Sequence, residues 1–293
     1  MKRSRRIYKV LAALAFVPLL VWIACKLTEL DWQPQPSPLP TPAYRQPTIW
    51  LPRVQKYPSK GVGLTYPYCW DAQRVGASWF YGWTVWPQDC PGIESVPMIW
   101  GAGDVGIKPR GTSIWLLGFN EPDRENQANL TPDEAAVLWR KVERLYGADW
   151  KLVSPAVSHT DVDWLRRFYA AYLDRFETAP QLDALAVHCY ANDVDECLAV
   201  IREVIELAET WQVLGGVWLT EFAFWPTRGE EVADGLDRAR QFIVGMGGES
   251  HLRRFAWFAA RMRGDEWWMG PSTALVEFDG SSLTRYGEMY KGE

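Results

Sequence analysis

The stretch Ile114-Trp115-Leu116-Leu117-Gly118-Phe119-Asn120-Glu121-Pro122 decides how this chain folds, read with Thr131-Pro132-Asp133-Glu134 and Leu152-Val153-Ser154-Pro155 beyond it. Ile114–Phe119 is a short apolar run of the kind that forms a buried strand. Thr131 then stands where an N-cap belongs, Pro132 at the first helical position and Glu134 as the partner in a capping box. Val137, Leu138, Val142 and Leu145 recur at helical spacing through Ala135–Tyr146. A second apolar run, Leu152–Pro155, follows. Strand–helix–strand alternation of this kind implies a parallel sheet.

The same alternation extends in both directions. Further β-rich runs lie at Gly61–Leu64, Ser78–Trp83, Val96–Trp100, Leu185–His188, Val217–Glu221 and Phe255–Phe258, which makes eight in all. Helical patterns lie at Asp163–Arg175, Cys197–Thr210 and Val232–Met246. Eight strands in roughly 235 residues fit an α/β fold of the closed (β/α)8 TIM-barrel type. An open doubly wound sheet is the structural alternative.

Residues 58–293 are expected to form the barrel domain. Ahead of it, Lys2, Arg3, Arg5 and Arg6 precede an apolar run from Val10 to Cys25. Residues 1–32 are read as a signal-anchor, with a cleaved signal peptide or a lipoprotein signal as alternatives. Cutting after Ala24 would place bulky Trp22 at the −3 position, which disfavours cleavage. Residues 33–57 form a Pro-rich linker, with Pro34, Pro36, Pro38, Pro40, Pro42 and Pro47 giving a semi-rigid spacer. The expectation is an extracytoplasmic domain, anchored to the membrane through the N-terminal segment or secreted.

Of the five cysteines, Cys69, Cys90, Cys189 and Cys197 lie beyond that segment. Sequence proximity favours Cys69–Cys90 and Cys189–Cys197, with free buried thiols as the other reading. Their spacing does not fit a zinc site. Residues 1–32 carry six Lys or Arg against two Asp or Glu, a balance of +4 that leaves −9 for the rest of a chain whose net charge is −5. An acidic body argues against nucleic acid, which needs a basic face. The chain also holds 18 tryptophans. Many will be packing, but a flat apolar ring with a polar edge also suits a pyranose.

In a barrel, functional side chains gather at the C-terminal ends of the strands. Glu121 and Glu221 end the fourth and seventh runs. Two carboxylates so placed suit glycoside hydrolysis, one protonating the leaving oxygen while the other attacks the anomeric carbon or activates a water. Two unrelated salt-bridging glutamates are the plainer reading. Asn120 precedes Glu121, and His188 and Tyr190 stand at the end of the sixth run. Trp83, Trp100, Trp225 and Trp257 lie at or just after strand ends, where indoles can form sugar subsites. Trp267 and Trp268 lie in the loop after the eighth run. Gly101-Ala102-Gly103-Asp104-Val105-Gly106 matches a dinucleotide fingerprint. The pattern continues almost directly into the next strand, so no helix N-terminus is there to receive a phosphate.

Val96-Pro97-Met98-Ile99-Trp100-Gly101 and Leu116-Leu117-Gly118-Phe119-Asn120-Glu121-Pro122-Asp123 resemble family 128 of the glycoside hydrolases, the Asl1-like catalytic domain of clan A. The likeness continues through Asn126–Pro132, Ser154-Pro155-Ala156-Val157, His188-Cys189-Tyr190 and Trp218-Leu219-Thr220-Glu221-Phe222, covering nearly all of 58–293. It implies retaining chemistry and endo-action on β-1,3-glucan, with Glu121 as acid/base and Glu221 as nucleophile. It also implies a polysaccharide substrate and no metal or organic cofactor. The chain is taken as a monomer. Two positions depart from the family's usual pattern: Tyr81-Gly82-Trp83 replaces Tyr-Asn-Trp, and His188-Cys189-Tyr190 replaces His-Trp-Tyr. Glu121 is expected to carry a raised pKa and Glu221 to stay ionised. A non-catalytic cell-surface carbohydrate-binding protein on the same scaffold is the alternative.

Overall fold

The computed structural model describes residues 58–264, 269 and 273–292. The expected N-terminal anchor, the Pro-rich linker and the Trp267–Trp268 pair lie outside the described residues. Among the described residues, no helix is long and apolar enough to cross a membrane.

Eight strands form one curled sheet: β1 (Ser59–Gly63), β2 (Trp79–Tyr81), β3 (Glu94–Ser95), β4 (Trp115–Leu116), β5 (Lys151–Val157), β6 (Ala184–Cys189), β7 (Val217–Phe222) and β8 (Leu252–Trp257). Their order is β3-β2-β1-β8-β7-β6-β5-β4, and every neighbouring pair is parallel. A parallel bridge between Met98 and Leu117 spans the β3–β4 seam. Ile99 N–H donates to Leu117 O and Leu117 N–H to Pro97 O, both at 2.9 Å. The sheet is thus TIM-barrel-like. The helices are α1 (Cys69–Arg74), α2 (Pro132–Tyr146), α3 (Asp163–Phe176), α4 (Val194–Thr210), α5 (Val232–Met246) and α6 (Arg285–Gly292).

Local chemistry explains the elements and their departures from expectation. The capping box at Thr131 and Glu134 forms in both directions, with Pro132 opening α2. Helix α4 starts at Val194 rather than Cys197, because Asp193 caps it by accepting from Glu196 N–H at 2.9 Å. The third strand is found at Glu94–Ser95, just ahead of the expected Val96–Trp100. Pro97 has no N–H to give a ladder, so pairing beyond Ser95 shrinks to single contacts. The fourth strand shortens from Ile114–Phe119 to Trp115–Leu116, with single bridges continuing its line. Gly118 permits this close approach: a Cβ there would lie 2.8 Å from the backbone of Ser154. The glycine run at 101–106 holds only a three-residue 3-10 turn, Ala102–Asp104.

Strand alternation sorts the side chains into two cores. Trp79, Tyr81, Val96, Met98, Leu117, Val153, Ala184, Ala186, Trp218 and Ala256 fill the inside of the sheet. Val62, Phe80, Leu185, Val187, Leu219, Phe222, Phe255 and Trp257 face the helices. At the lower end Arg254 pairs with Glu94 at 2.7 Å and lies over the Trp218 ring, 4.2 Å from its centroid.

Both cysteine pairs favoured by proximity are formed. Cys69–Cys90 ties α1 to the loop before β3, and Cys189–Cys197 ties the end of β6 to the first turn of α4. They span 21 and 8 residues. Chain-entropy arguments give each about 2–3 kcal/mol. The double variant Cys69→Ala/Cys90→Ala should therefore lower the midpoint of thermal unfolding by about 5–10 °C. Calorimetry on oxidised protein checks this, and an unchanged midpoint would show that the bridge does not stabilise the fold.

Candidate active site

A cleft of about 650 Å³ opens at the C-terminal ends of the strands, lined by Thr65, Trp83, Trp100, Asn120, Glu121, Gln127, Tyr190, Glu221, Phe258 and Met269. Each wall has a local cause. A bulge in β7 aims Glu221. Pairing runs Val187↔Leu219 and then His188↔Glu221, so Thr220 is the extra residue. Leu219 and Phe222 pack outwards against the helices. The bulge shifts the phase between them, turning Glu221 inwards where strict alternation would have turned it out. The φ of Glu121 is +39° and that of Trp83 is +51°, a left-handed conformation that costs a non-glycine residue about 1 kcal/mol or more. Glu121 is fastened there by its N–H to Ala156 O at 2.8 Å. Asp123, two residues on, accepts from the backbone and hydroxyl of Ser158, tying the loop after β4 to that after β5. Gly63 leaves room for the Trp83 indole, since a Cβ there would come within 2.6 Å of it.

Glu221 is 4% exposed and surrounded by donors. Trp83 Nε1–H donates to its Oε1 at 2.8 Å and Tyr190 O–H donates to Oε2 at 2.7 Å, while Tyr81 O–H donates to Thr220 O at 2.7 Å with Glu221 Oε1 a longer second acceptor at 3.3 Å. Glu121 contacts His188, whose Nδ1 lies 3.0 Å from Glu121 Oε1 and 3.4 Å from Glu221 Oε2. An oxygen of Glu121, an oxygen of Glu221 and a His188 nitrogen all lie within 4.8 Å of one another. Among the described residues this is the one grouping of carboxylates, histidines or thiols tight enough to share a cation. Its Glu221 oxygens are already engaged by Trp83 and Tyr190.

The electrostatics reverse the expected assignment of pKa values in the unliganded cleft. Burial raises Glu121, but the His188 hydrogen bond and charge, with Arg124 and His159, outweigh it and hold the carboxyl below its ordinary 4.5. Burial pushes Glu221 above 4.5, opposed by the charge of His188 and reinforced by that of Glu121. Burial lowers His188, yet the charges of Glu221 and Glu121 prevail and leave it above 6.5. Sequence reading expected Glu121 to be the raised carboxyl because it did not place an imidazole against it. Burial and the Glu221 charge push Tyr81 and Tyr190 well above 10.0, so both remain donors.

Of the residues expected at the site, Glu121, Glu221, Asn120, Tyr190, Trp83 and Trp100 line the cleft. His188 lies beneath it, fully buried, and meets the carboxylates rather than open space. Asn120 Nδ2 donates to Gln127 Oε1 at 3.1 Å, while its buried Oδ1 has no partner among the described residues. Two expected residues are not brought there. Trp257 shares the outward phase of Phe255, is fully buried against Phe222, Tyr286 and Tyr290, and donates Nε1–H to Thr273 O at 2.9 Å. Trp225 is half-buried beyond β7, its backbone held by Asn192 and Arg238, and does not line the cleft. Sequence reading missed Phe258, Gln127, Thr65, Met269 and Tyr81. Strand phase could have found Phe258, since it shares the inward side with Arg254 and Ala256.

The profile of the glycosyl hydrolase catalytic core family matches residues 61–290. The alkali-sensitive linkage protein 1 of Schizosaccharomyces pombe is 26% identical over 240 residues, 78% of this chain but 40% of that protein, so the chain spans well under half of that relative's length. The chain is also similar to the crystal structure of a subgroup III curdlan-specific exo-β-1,3-glucanase of glycoside hydrolase family 128 from Blastomyces gilchristii in complex with glucose. The TM-score is 0.65 at 27% identity, covering 80% of this chain and 98% of that one. A subgroup I endo-β-1,3-glucanase from Amycolatopsis mediterranei, in complex with laminarihexaose, gives 0.64 at 27% identity, covering 80% and 98%.

The charge bridge can be tested through stability. A raised His188 contributes stability that is fully present below about pH 6.5 and is lost as pH rises through its folded value. A lowered Glu121 contributes stability present above about pH 4.5 and lost as pH falls through its folded value. Both operate between these limits. His188→Gln should therefore show its largest stability deficit near pH 5–6, on the order of 3 kcal/mol, shrinking towards alkaline pH. Urea unfolding across pH checks this; a deficit independent of pH would remove the charge from the account.

Proposed function

Since the chain belongs to the glycosyl hydrolase catalytic core family, we propose that this glycosidase cleaves β-1,3-glucan by a two-carboxylate double displacement that retains anomeric configuration. The observation that carries this reading is the closeness of the carboxylates, with an oxygen of Glu121 and one of Glu221 within 4.8 Å. Retaining enzymes hold their carboxyl groups about 5–5.5 Å apart, whereas inverting enzymes leave about 6.5–9.5 Å for a water.

In the first step a Glu221 oxygen attacks the anomeric carbon, the glycosidic C–O bond breaks, and the leaving oxygen takes a proton from Glu121. Trp83, Tyr81 and Tyr190 hold Glu221 in line. They also disperse its charge, favouring the ionised form against the opposing effect of burial. The Glu121–His188 hydrogen bond holds one proton, which rests on the imidazole side while the cleft is wet. A sugar that displaces water from Glu121 raises the cost of its charge and draws that proton onto the carboxyl. In the second step a water attacks the glycosyl carbon and gives its proton to Glu121, and Glu221 is released. Asn120, Trp83, Trp100 and Phe258 line the cleft, where an amide suits a sugar hydroxyl and aromatic rings suit the C–H face of a pyranose.

Endo-action is the reading we adopt for the products. The domain is assigned to an oxidising compartment outside the cytoplasm, either tethered through its N-terminal segment or secreted. Two disulfides in the catalytic domain support that placement, because such bonds persist where thiols are not kept reduced.

Glu221→Gln should lower kcat on laminarin by about 10³-fold or more while leaving binding measurable. With the wild-type enzyme, proton NMR of the first products should show the β-anomer, and chromatography should show a ladder of oligosaccharides. Release of the α-anomer first would overturn the double displacement, and full activity of Glu221→Gln would overturn the nucleophile.

A further inference from the structure

Two loops that line the cleft continue past it into a cluster of aromatic rings. The loop after β1 gives Thr65 to the cleft and then Tyr66 and Tyr68, with Trp70 following in the first turn of α1. The chain after β8 gives Phe258 and Met269 to the cleft and, further on, Phe278. The loops are joined where Thr65 Oγ1–H donates to Arg261 O at 2.6 Å. Tyr66 and Tyr68 lie nearly parallel, 16° apart with centroids separated by 6.2 Å, and Phe278 meets Tyr66 edge-on at 5.6 Å. Tyr68 is 42% exposed and Phe278 45% exposed.

These rings are held from beneath. Arg261, 5% exposed, places its guanidinium 4.4 Å from the centroids of both Tyr68 and Trp70. The same guanidinium makes a two-pronged ion pair with buried Asp71, at 2.7 and 2.9 Å, and donates to Phe278 O at 3.0 Å. One buried cation therefore fixes Tyr68, Trp70 and the backbone of Phe278 together. Burying such a pair costs solvation, and it serves better to fix geometry than to add stability. Arg261 covers one face of Tyr68 and the Arg263 guanidinium lies 5.8 Å from the Phe278 centroid, which leaves each ring partly open to water. Partly open, braced rings beside a cleft suit a polymer of pyranose units, whose C–H faces stack on aromatic surface without a large ordering cost.

We propose that Tyr66, Tyr68 and Phe278 form an accessory glucan-binding platform, which takes glucosyl units of the same chain beyond those held in the cleft. The proposal rests on the glucan-hydrolase reading for its ligand. Continuity with the cleft through Thr65–Tyr66 and through the β8 loop selects a sugar chain as the occupant. The role is binding of long substrates, without contact to the reacting atoms.

The test uses full-length protein with Tyr68→Leu, Phe278→Leu and the double variant, which keep apolar bulk but remove the flat rings. Kinetics are measured on laminarin and on an aryl β-laminaribioside, which carries only two sugar units. Affinity electrophoresis in gels containing laminarin reads binding without catalysis. The double variant should raise KM for laminarin about tenfold and lose retardation in the gel, with kcat and both constants for the short substrate unchanged. An unchanged KM and retardation would overturn the platform, as would an equal loss on both substrates, which would mark the rings as support for the cleft. Wild-type retardation that the double variant loses, without hydrolysis by either protein, would uphold the platform and overturn the hydrolase reading instead.

Discussion

Two carboxylates whose oxygens come within 4.8 Å repel each other, and removing both from water raises the cost again. His188 meets that cost by placing one nitrogen between them, 3.0 Å from Glu121 and 3.4 Å from Glu221. Two neutral donors, on Trp83 and Tyr190, complete the shell of Glu221, with the Tyr81 hydroxyl, bonded to Thr220 O, alongside. The arrangement makes demands on the whole upper face of the sheet. β2 must deliver Tyr81 and Trp83, β6 must deliver His188 and the tyrosine just past its end, and β7 must break its alternation to turn Glu221 inwards.

The fold meets those demands at a few defined positions. The bulge at Thr220 supplies the phase shift in β7. Gly63 leaves space for an indole, and left-handed backbone at Glu121 and Trp83 aims two side chains that regular strands would direct elsewhere. Other pairs of the sheet also shift register, β5 with β6 between Val153 and Ala156 and β7 with β8 between Val217 and Trp218, but the irregularities at Thr220, Glu121 and Trp83 are the ones that aim side chains at the carboxylates. Such local departures persist when the surrounding structure over-determines them, and functional sites are where they gather. Position 189 shows the same economy: its side chain points away from the cleft into a disulfide, while residues 188 and 190 on either side point in.

The polar geometry also explains how one proton serves the site. In the unliganded cleft, charge holds Glu121 below its ordinary 4.5 and His188 above its ordinary 6.5, so the shared proton is favoured on His188. Beside the cleft, the aromatic cluster is braced by Arg261 and Asp71.

By itself the sequence determined the alternation of strands and helices, the caps that start α2, and the two glutamates at strand ends, because periodicity and capping are local properties of the chain. Proximity favoured the two cysteine pairs but left free thiols open, and the assembled fold decided for the bonds. Tertiary structure alone decided which side chains face the cleft. A one-residue change of phase separates Trp257, buried against the helices, from Phe258 in the cleft wall, and it separates Glu221 from where regular alternation would have put it. Tertiary structure also decided the charge states. The pKa of Glu121 depends on an imidazole 67 residues away in sequence, and burial and proximity arise only once the strands are assembled side by side.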